Sequence, residues 1–217
     1  MKRTLLYIIA LVLTTAAEAQ TLNVRIGSVT YQFPAAQTGE MIYEDGQTLT
    51  IMGKTFTLAD IDGMNVDATE VTDNLVNVEY NGSSATVRVA GNVAQYVTPT
   101  VSGAHVSITQ SNTADVDGDE ITYQLSGSTT DGSLSLSGSY KCIVSLAGVT
   151  LTNPSGAAIN ITNGKRIQIS AKTGTENTLT GRRRLTESLP LQQRPDTVAR
   201  QGHAQCRGQH SARHQER

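Results

Sequence analysis

The chain has 217 residues, 38% hydrophobic, 4% aromatic and 17% charged, with a formal net charge of −2. That is enough apolar material for one or two domains with a core, which excludes general disorder and a polytopic membrane protein. Two cysteines cannot form a disulfide framework, and the lack of Trp removes the usual stacking platforms for sugars or bases.

The net charge describes no single part of the chain. Residues 20–180 carry 7 basic against 15 acidic groups, a net −8, whereas residues 181–217 carry 8 Arg against 3 acidic groups. At the start, Lys2 and Arg3 precede the apolar run Leu5–Leu13, and Ala17-Glu18-Ala19 places small residues two apart. This is the layout of a secretory signal peptide cleaved before Gln20. An apolar run of roughly ten residues is too short to cross a hydrocarbon core of ~30 Å. Export to the periplasm, cell surface or medium is therefore expected, with no transmembrane segment after cleavage.

From Thr21 to about Gln110, short runs alternate apolar and polar residues: LNVRI, TLTIMGKTFTL, VNVEYNGSSATVRVAG and HVSITQ. Period-two alternation predicts strands, and MGK and NGSS supply hairpin loops with Gly free to take positive φ. The first region, 20–110, is thus read as antiparallel hairpins, with Leu58–Asp67 as loop or strand rather than helix. Residues 111–120, SNTADVDGDE, form an acidic linker marking a boundary. Asp115, Asp117 and Asp119 alternate there around Gly118, and a tight loop would aim their oxygens at a hard cation such as Ca²⁺. The distant bidentate Glu of a full calcium loop is missing, and a solvated turn-rich linker explains the same residues.

After Ile121 the rhythm shortens to ITYQLSG, SLSLSG, CIVSL, VTLTN, AINITN and RIQIS, with apolar pairs recurring every eight to ten residues and turns of Gly, Asn, Ser and Pro. Short strands at this spacing suit successive faces of a parallel β-helix; a β-sandwich is the rival. Asn153, Asn160 and Asn163 beside the strands favour the β-helix, where polar turn residues stack into ladders. The expected fold is therefore all-β: N-terminal hairpins, then at 121–180 the first coils of a right-handed parallel β-helix, incomplete at about two coils. An unfinished stack leaves an open edge of Ile and Leu, so instability is expected.

Residues 181–217 lack Lys, Ile, Phe, Tyr and Trp and hold six Gln and three His, unlike everything upstream. A basic nucleic-acid arm and a solvated tail both fit the charge, but export removes the first partner. A third reading is a frame change near Thr180: shifted by one base, Arg200–Arg217 can read GKGTLNVEGNTAHGIKS, similar to the β-rich chain. On that reading the segment is a disordered basic tail, out of frame and without function.

The stretch 125–180, with GVTLTNPSGAAINI, a GKRI turn and a GTENTLT exit, resembles the start of a carbohydrate-binding domain family of secreted proteins from gut Bacteroidetes. That family is named for a clostridial cell-surface protein that binds cellulose and pectin, and the likeness covers residues 1–180. The resemblance implies a right-handed parallel β-helix similar to pectate lyases, calcium sites and binding of acidic polysaccharide. The chain departs from the family at Gly181-Arg182-Arg183-Arg184, and the resemblance brings no catalytic motif with it.

Catalytic chemistry is thinly represented. His105 is alone within a strand, where a structural role is the usual one. Cys142 alternates with Val144 and Leu146 as a buried thiol would, and Cys206, His203 and His210 have loose spacing for zinc. A lyase would need a base such as Lys or Arg beside a calcium-held uronate, and Lys165 and Arg166 sit in a turn, where surface charge is the usual explanation. Tyr123 and Tyr140 are the candidate sugar-stacking residues. The expectation is a secreted, non-catalytic carbohydrate-binding protein for acidic plant or host polysaccharide such as polyuronate, held with the help of Ca²⁺, with no nucleic-acid partner. The alternatives are a structural surface scaffold or adhesin, and a polysaccharide lyase.

Overall fold

A computed structural model describes residues 20–182 and the short strand Ala204–Gln205. The expected signal peptide, most of the basic tail and the loose zinc trio Cys206, His203 and His210 lie outside the described residues. The described residues are all-β, with two 3-10 turns among them, Leu58–Asp60 and Gly91–Tyr96. The N-terminal strands are β1 (Thr21–Ile26), β2 (Val29–Pro34), β3 (Ile42–Glu44), β4 (Thr48–Ile51), β5 (Lys54–Thr57), β6 (Gly63–Asp67), β7 (Leu75–Asn81) and β8 (Ser84–Ala90). There follow β9 (Val97–Ser102), β10 (His105–Gln110), β11 (Ile121–Thr129), β12 (Ser133–Gly138), β13 (Cys142–Asn153), β14 (Ile159–Asn163), β15 (Ile167–Ala171), β16 (Thr178–Gly181) and β17 (Ala204–Gln205).

The expected hairpins form. β4 and β5 meet at Ile51↔Lys54 across Met52-Gly53, both with positive φ (46° and 79°), the two-residue turn whose twist matches its strands. β7 and β8 close at Asn81↔Ser84 with Gly82 at φ 63°. β1 with β2 and β9 with β10 are also antiparallel. Leu58–Asp67, read as loop or strand, splits into a 3-10 turn and β6, an edge partner of β1.

The described strands form three sheets. The largest runs β17-β16-β13-β11-β7-β8-β2-β1-β6, with β15 also on β13; the second runs β14-β12-β10-β9 and the third β3-β4-β5. In the large sheet β2 pairs β8 in parallel, as do β7 with β11, β11 with β13, and β13 with β15 and β16, whereas β7 with β8 and β16 with β17 are antiparallel. In the second sheet pairing is parallel from β10 to β12 to β14.

Alternation drives one side of each strand inward. Val24, Tyr31, Val89, Val76, Tyr123 and Val144 occupy successive register partners across the large sheet and are all buried. Val106 over Leu134 and Ile108 over Leu136 do the same in the second sheet, giving one apolar cluster that reaches Ala158. Burying such side chains contributes about 1.5–3 kcal/mol each, the main force holding the layers together. The small β3-β4-β5 sheet adds Ile51 and Phe56, and Phe56 meets Tyr31 and Phe33 edge-on at 5.1 and 6.0 Å.

The acidic segment 111–120 does not separate two bodies, because β7 before it and β11 after it are neighbours in one sheet. It is pinned on several sides. Asn74 donates to the Val116 carbonyl (2.7 Å), Asn92 donates to Asp117 (2.9 Å), and Lys141 pairs with Asp115 (3.1 Å) and Glu120 (3.2 Å). The turn asparagines differ from the expected ladder. Asn153 and Asn163 cap their own turns, accepting from Ser155 N and Lys165 N, while Asn160 faces solvent. Short loops leave orphan backbone donors, and an Asn side chain satisfies them within two residues.

β11 and β13 each bend at a glycine with positive φ, Gly127 (80°) and Gly148 (83°). A Cβ at Gly127 would lie 2.1 Å from the Tyr80 carbonyl oxygen, whereas at Gly148 nothing lies within 4 Å. Both positions carry the left-handed cost, but only the first also carries a backbone clash. Gly127→Ala is therefore expected to destabilise by roughly 2–4 kcal/mol and Gly148→Ala by about 1 kcal/mol. Urea unfolding of the two variants checks the order, and equal losses would contradict the packing.

Candidate functional site

The residues singled out from sequence do not gather. Tyr123 is fully buried in β11 and its hydroxyl donates to Gln110 Oε1 at 2.9 Å, so its ring cannot stack on a ligand. The alternation that buries Ile121 and Leu125 buries it too. Tyr140 is half-buried in the turn before β13, with the Lys141 ammonium 5.5 Å from its ring centroid. Asp115 is taken by Lys141 and Asp117 by Asn92, while Asp119 closes a tight turn onto Val116. Among the described residues no three His, Cys, Asp or Glu side chains group as a metal site. The aspartates therefore do not fit calcium, which requires six or more converging oxygens.

Arg166 reaches across to Glu120, whose second oxygen is buried without a hydrogen-bond partner. Lys165 is exposed in the turn beside it. Cys142 is buried as its alternation predicts. Burial, then the Glu120 charge, push its thiol up to about 11, partly offset by Arg166, so it stays protonated and unreactive.

One constellation escaped the sequence. His105 Nδ1 lies 2.9 Å from Ser133 Oγ, and its Nε2 lies 3.5 Å from Asp131. The residue types are those of an acyl-transfer triad, but the nearby backbone donors are spent: Gly132 N donates to Thr152 O and Ser133 N to Ala104 O. Those two amides are thus not free to hold an oxyanion, and His105 and Asp131 are exposed while Ser133 is half-buried. Parallel pairing of β10 with β12 sets His105 beside Ser133, which explains the contact.

The outward face of the large sheet is different in kind. Where the inward column is apolar, the neighbouring outward row reads Gly63, Arg25, Thr30, Arg88, Asn77, Gln124, Ser145 and Ser170, one residue from each of eight strands. Register partners share a face and strands lie ~4.8 Å apart, so these groups form a continuous polar band across the strands. Next to it, Asn65, Asn23 and Gln32 are also register partners.

Amides on this face are fixed by one another. Gln124 donates to Asn77 (3.0 Å), Gln32 to Asn23 (3.1 Å) and Asn23 to Asp67 (3.0 Å). Asn23 and Gln32 are buried although they point away from the core. They floor a cleft of about 690 Å³ that spans β6, β1, β2, β8 and β7 and is walled at one end by Thr69 and Glu70. Such a surface offers paired donors and acceptors at fixed spacing, which is what a polyhydroxyl ligand requires. Five strands that are not consecutive in sequence build the cleft, so no local motif announces it.

A family model described as carbohydrate-binding domain-containing protein matches residues 102–199, less than half of the chain. The match supports a carbohydrate-binding role. It covers β10 to β16 and continues beyond Thr180 into the segment read as out of frame. No curated protein and no solved structure matches the chain. No helix among the described residues is long and apolar enough to cross a membrane.

Asp67 ties the cleft wall to its floor. Hydrogen bonds from Thr69 above all, then from Asn23 and Asn65, hold its carboxyl below the ordinary value of 3.8. Because the folded value is depressed, the tie is intact above the ordinary pKa and is lost as pH falls through the folded one. The Thr69 amide, which donates to Asp67 at 3.0 Å, is thus expected to keep its proton chemical shift from neutral pH down to about 4 and to move only below that. Movement centred above pH 4 would contradict the arrangement.

Proposed function

We propose that the chain is an exported, non-catalytic polysaccharide-binding protein whose strands from β10 onward form the first coils of a right-handed parallel β-helix. The observation that carries the binding role is the carbohydrate-binding family match over residues 102–199. The coil reading is supported by the two parallel series, β10-β12-β14 and β11-β13-β15, which the chain visits alternately. Connections between parallel strands of one sheet are right-handed, which gives the hand.

The ligand lies on the outward polar band, not in a deep pocket, because that band crosses from the N-terminal strands into the matched segment. Strand spacing of ~4.8 Å is close to the advance of one pyranose ring along an extended glycan, so a chain laid across the strands meets a new polar side chain at each ring. The ligand is read as an acidic polysaccharide, with no calcium step, since the aspartates do not converge. Export follows from Lys2, Arg3 and the apolar run after them.

A glycan array probed with the purified chain, with and without EGTA, tests this reading. Selective binding to extended polysaccharides that survives EGTA is expected, with no ultraviolet-absorbing unsaturated uronate released. Uniformly blank spots would sink it in favour of a scaffold, and release of unsaturated product would favour a lyase.

A further inference from the structure

The 20–180 stretch carries 15 acidic against 7 basic groups, so most of the surface repels a polyanion. Two of the seven cations stand together. Arg25 on β1 and Arg88 on β8 are register partners of the same residue, Thr30 on β2, and so flank it on one face. Both are exposed. Arg25 has no carboxylate within salt-bridge distance among the described residues, and its guanidinium lies beside Gly63, where no side chain covers the sheet. Arg88 is held 3.2 Å from Glu79, with both side chains about half exposed. Thr30 and the buried amides Asn23 and Gln32 complete the floor between them.

We propose that this cleft, which lies outside the family-matching segment, is an anion-reading saccharide subsite in which Arg25 and Arg88 clasp a carboxylate or sulfate group over Thr30 without a bridging metal. A guanidinium presents a planar fork of donors that matches such groups two bonds at a time, which a lysine does not. Asn77 and Asn65 on either side then meet the hydroxyls of the same and adjoining rings. Glu79 sets a threshold: a ligand anion must displace it from Arg88, and the exposed pair it breaks is weak. The inference rests on the carbohydrate-binding role proposed above and adds to it the ligand's charge and the residues that read it.

Calorimetric titration at low salt in EGTA tests the subsite with three polymers: polygalacturonate for carboxylate, dextran sulfate for sulfate, and uncharged dextran. At least one acidic polymer is expected to bind more tightly than dextran. The double variant Arg25→Gln, Arg88→Gln is expected to lose about tenfold or more of that affinity while its binding to dextran is unchanged. Glu79→Gln, which frees Arg88, is expected to tighten acidic binding, an effect of opposite sign that a folding defect would not produce. Acidic binding left intact in the double variant and untouched in Glu79→Gln would overturn the subsite while leaving the polysaccharide role standing. Absence of acidic binding in EGTA, with array spots for neutral glycans, would do the same. A chain that binds no saccharide on the array or in the titrations would overturn both.

Discussion

Strand register is the constraint on which everything else in this protein depends. Because the side-chain period in a strand is two, one alignment places Val24, Tyr31, Val89, Val76, Tyr123 and Val144 inward. The same alignment places Arg25, Thr30, Arg88, Asn77, Gln124 and Ser145 outward. A slip of one residue in any strand would drive an Arg or an amide into the core and a Val into water, at a cost of several kcal/mol per strand. The apolar column therefore enforces the polar row. Only at its ends does the column meet solvent, at Met64 on β6 and Ile169 on β15, where the sheet has no further strand among the described residues to cover it.

The sheet is also bent where the register allows. At Gly127 and Gly148 the pairing of β11 with β13 skips a residue, so that Leu125 faces Leu146 while Gly127 faces Val149. Asn177 accepts hydrogen bonds from the Gly148 and Val149 amides and so closes the backbone donors that the bend leaves open. A buried amide side chain spent on backbone in this way is structural. The amides of the outward band are bonded chiefly to other side chains, Gln124 to Asn77, Gln32 to Asn23 and Asn23 to Asp67, although Asn23 also donates to the Thr21 carbonyl (3.3 Å).

Much of the fold was legible because alternation is local. The hairpins at Met52-Gly53 and Gly82, the strand character after Ile121 and the burial of Cys142 with Val144 and Leu146 all follow from residues within one or two turns of each other. Tyr123 offers no platform to a sugar, and ITYQL already implies this by placing it in period with Ile121 and Leu125, all three buried. The aspartates 115, 117 and 119 are a different case. Close spacing in sequence suggests convergence, but Lys141 and Asn92, which are distant in sequence, draw two of them apart. The cleft was invisible because Arg25, Thr30, Arg88 and Asn77 become neighbours only through register, and an antiparallel pair, a parallel pair and a second antiparallel pair must all be known to place them.

The outward band also settles how the two ends of the described chain relate to one another. The acidic stretch 111–120 reads as a boundary in composition, yet the row passes from Asn77 to Gln124 across it without a break, joined by a hydrogen bond between those two side chains. Strands before the boundary supply the cations and most of the amides, and strands within the carbohydrate-binding match supply Gln124, Ser145 and Ser170. Recognition by many shallow contacts succeeds only if they are already in place, since each freely rotating side chain ordered on binding costs about 0.5–1.5 kcal/mol. Here the cost is met during folding: Asn23 and Gln32 are buried and bonded before any ligand arrives, and the apolar column beneath holds their strands at fixed spacing. The strands before and after the acidic stretch thus share one sheet and one continuous polar row, fixed by the same register.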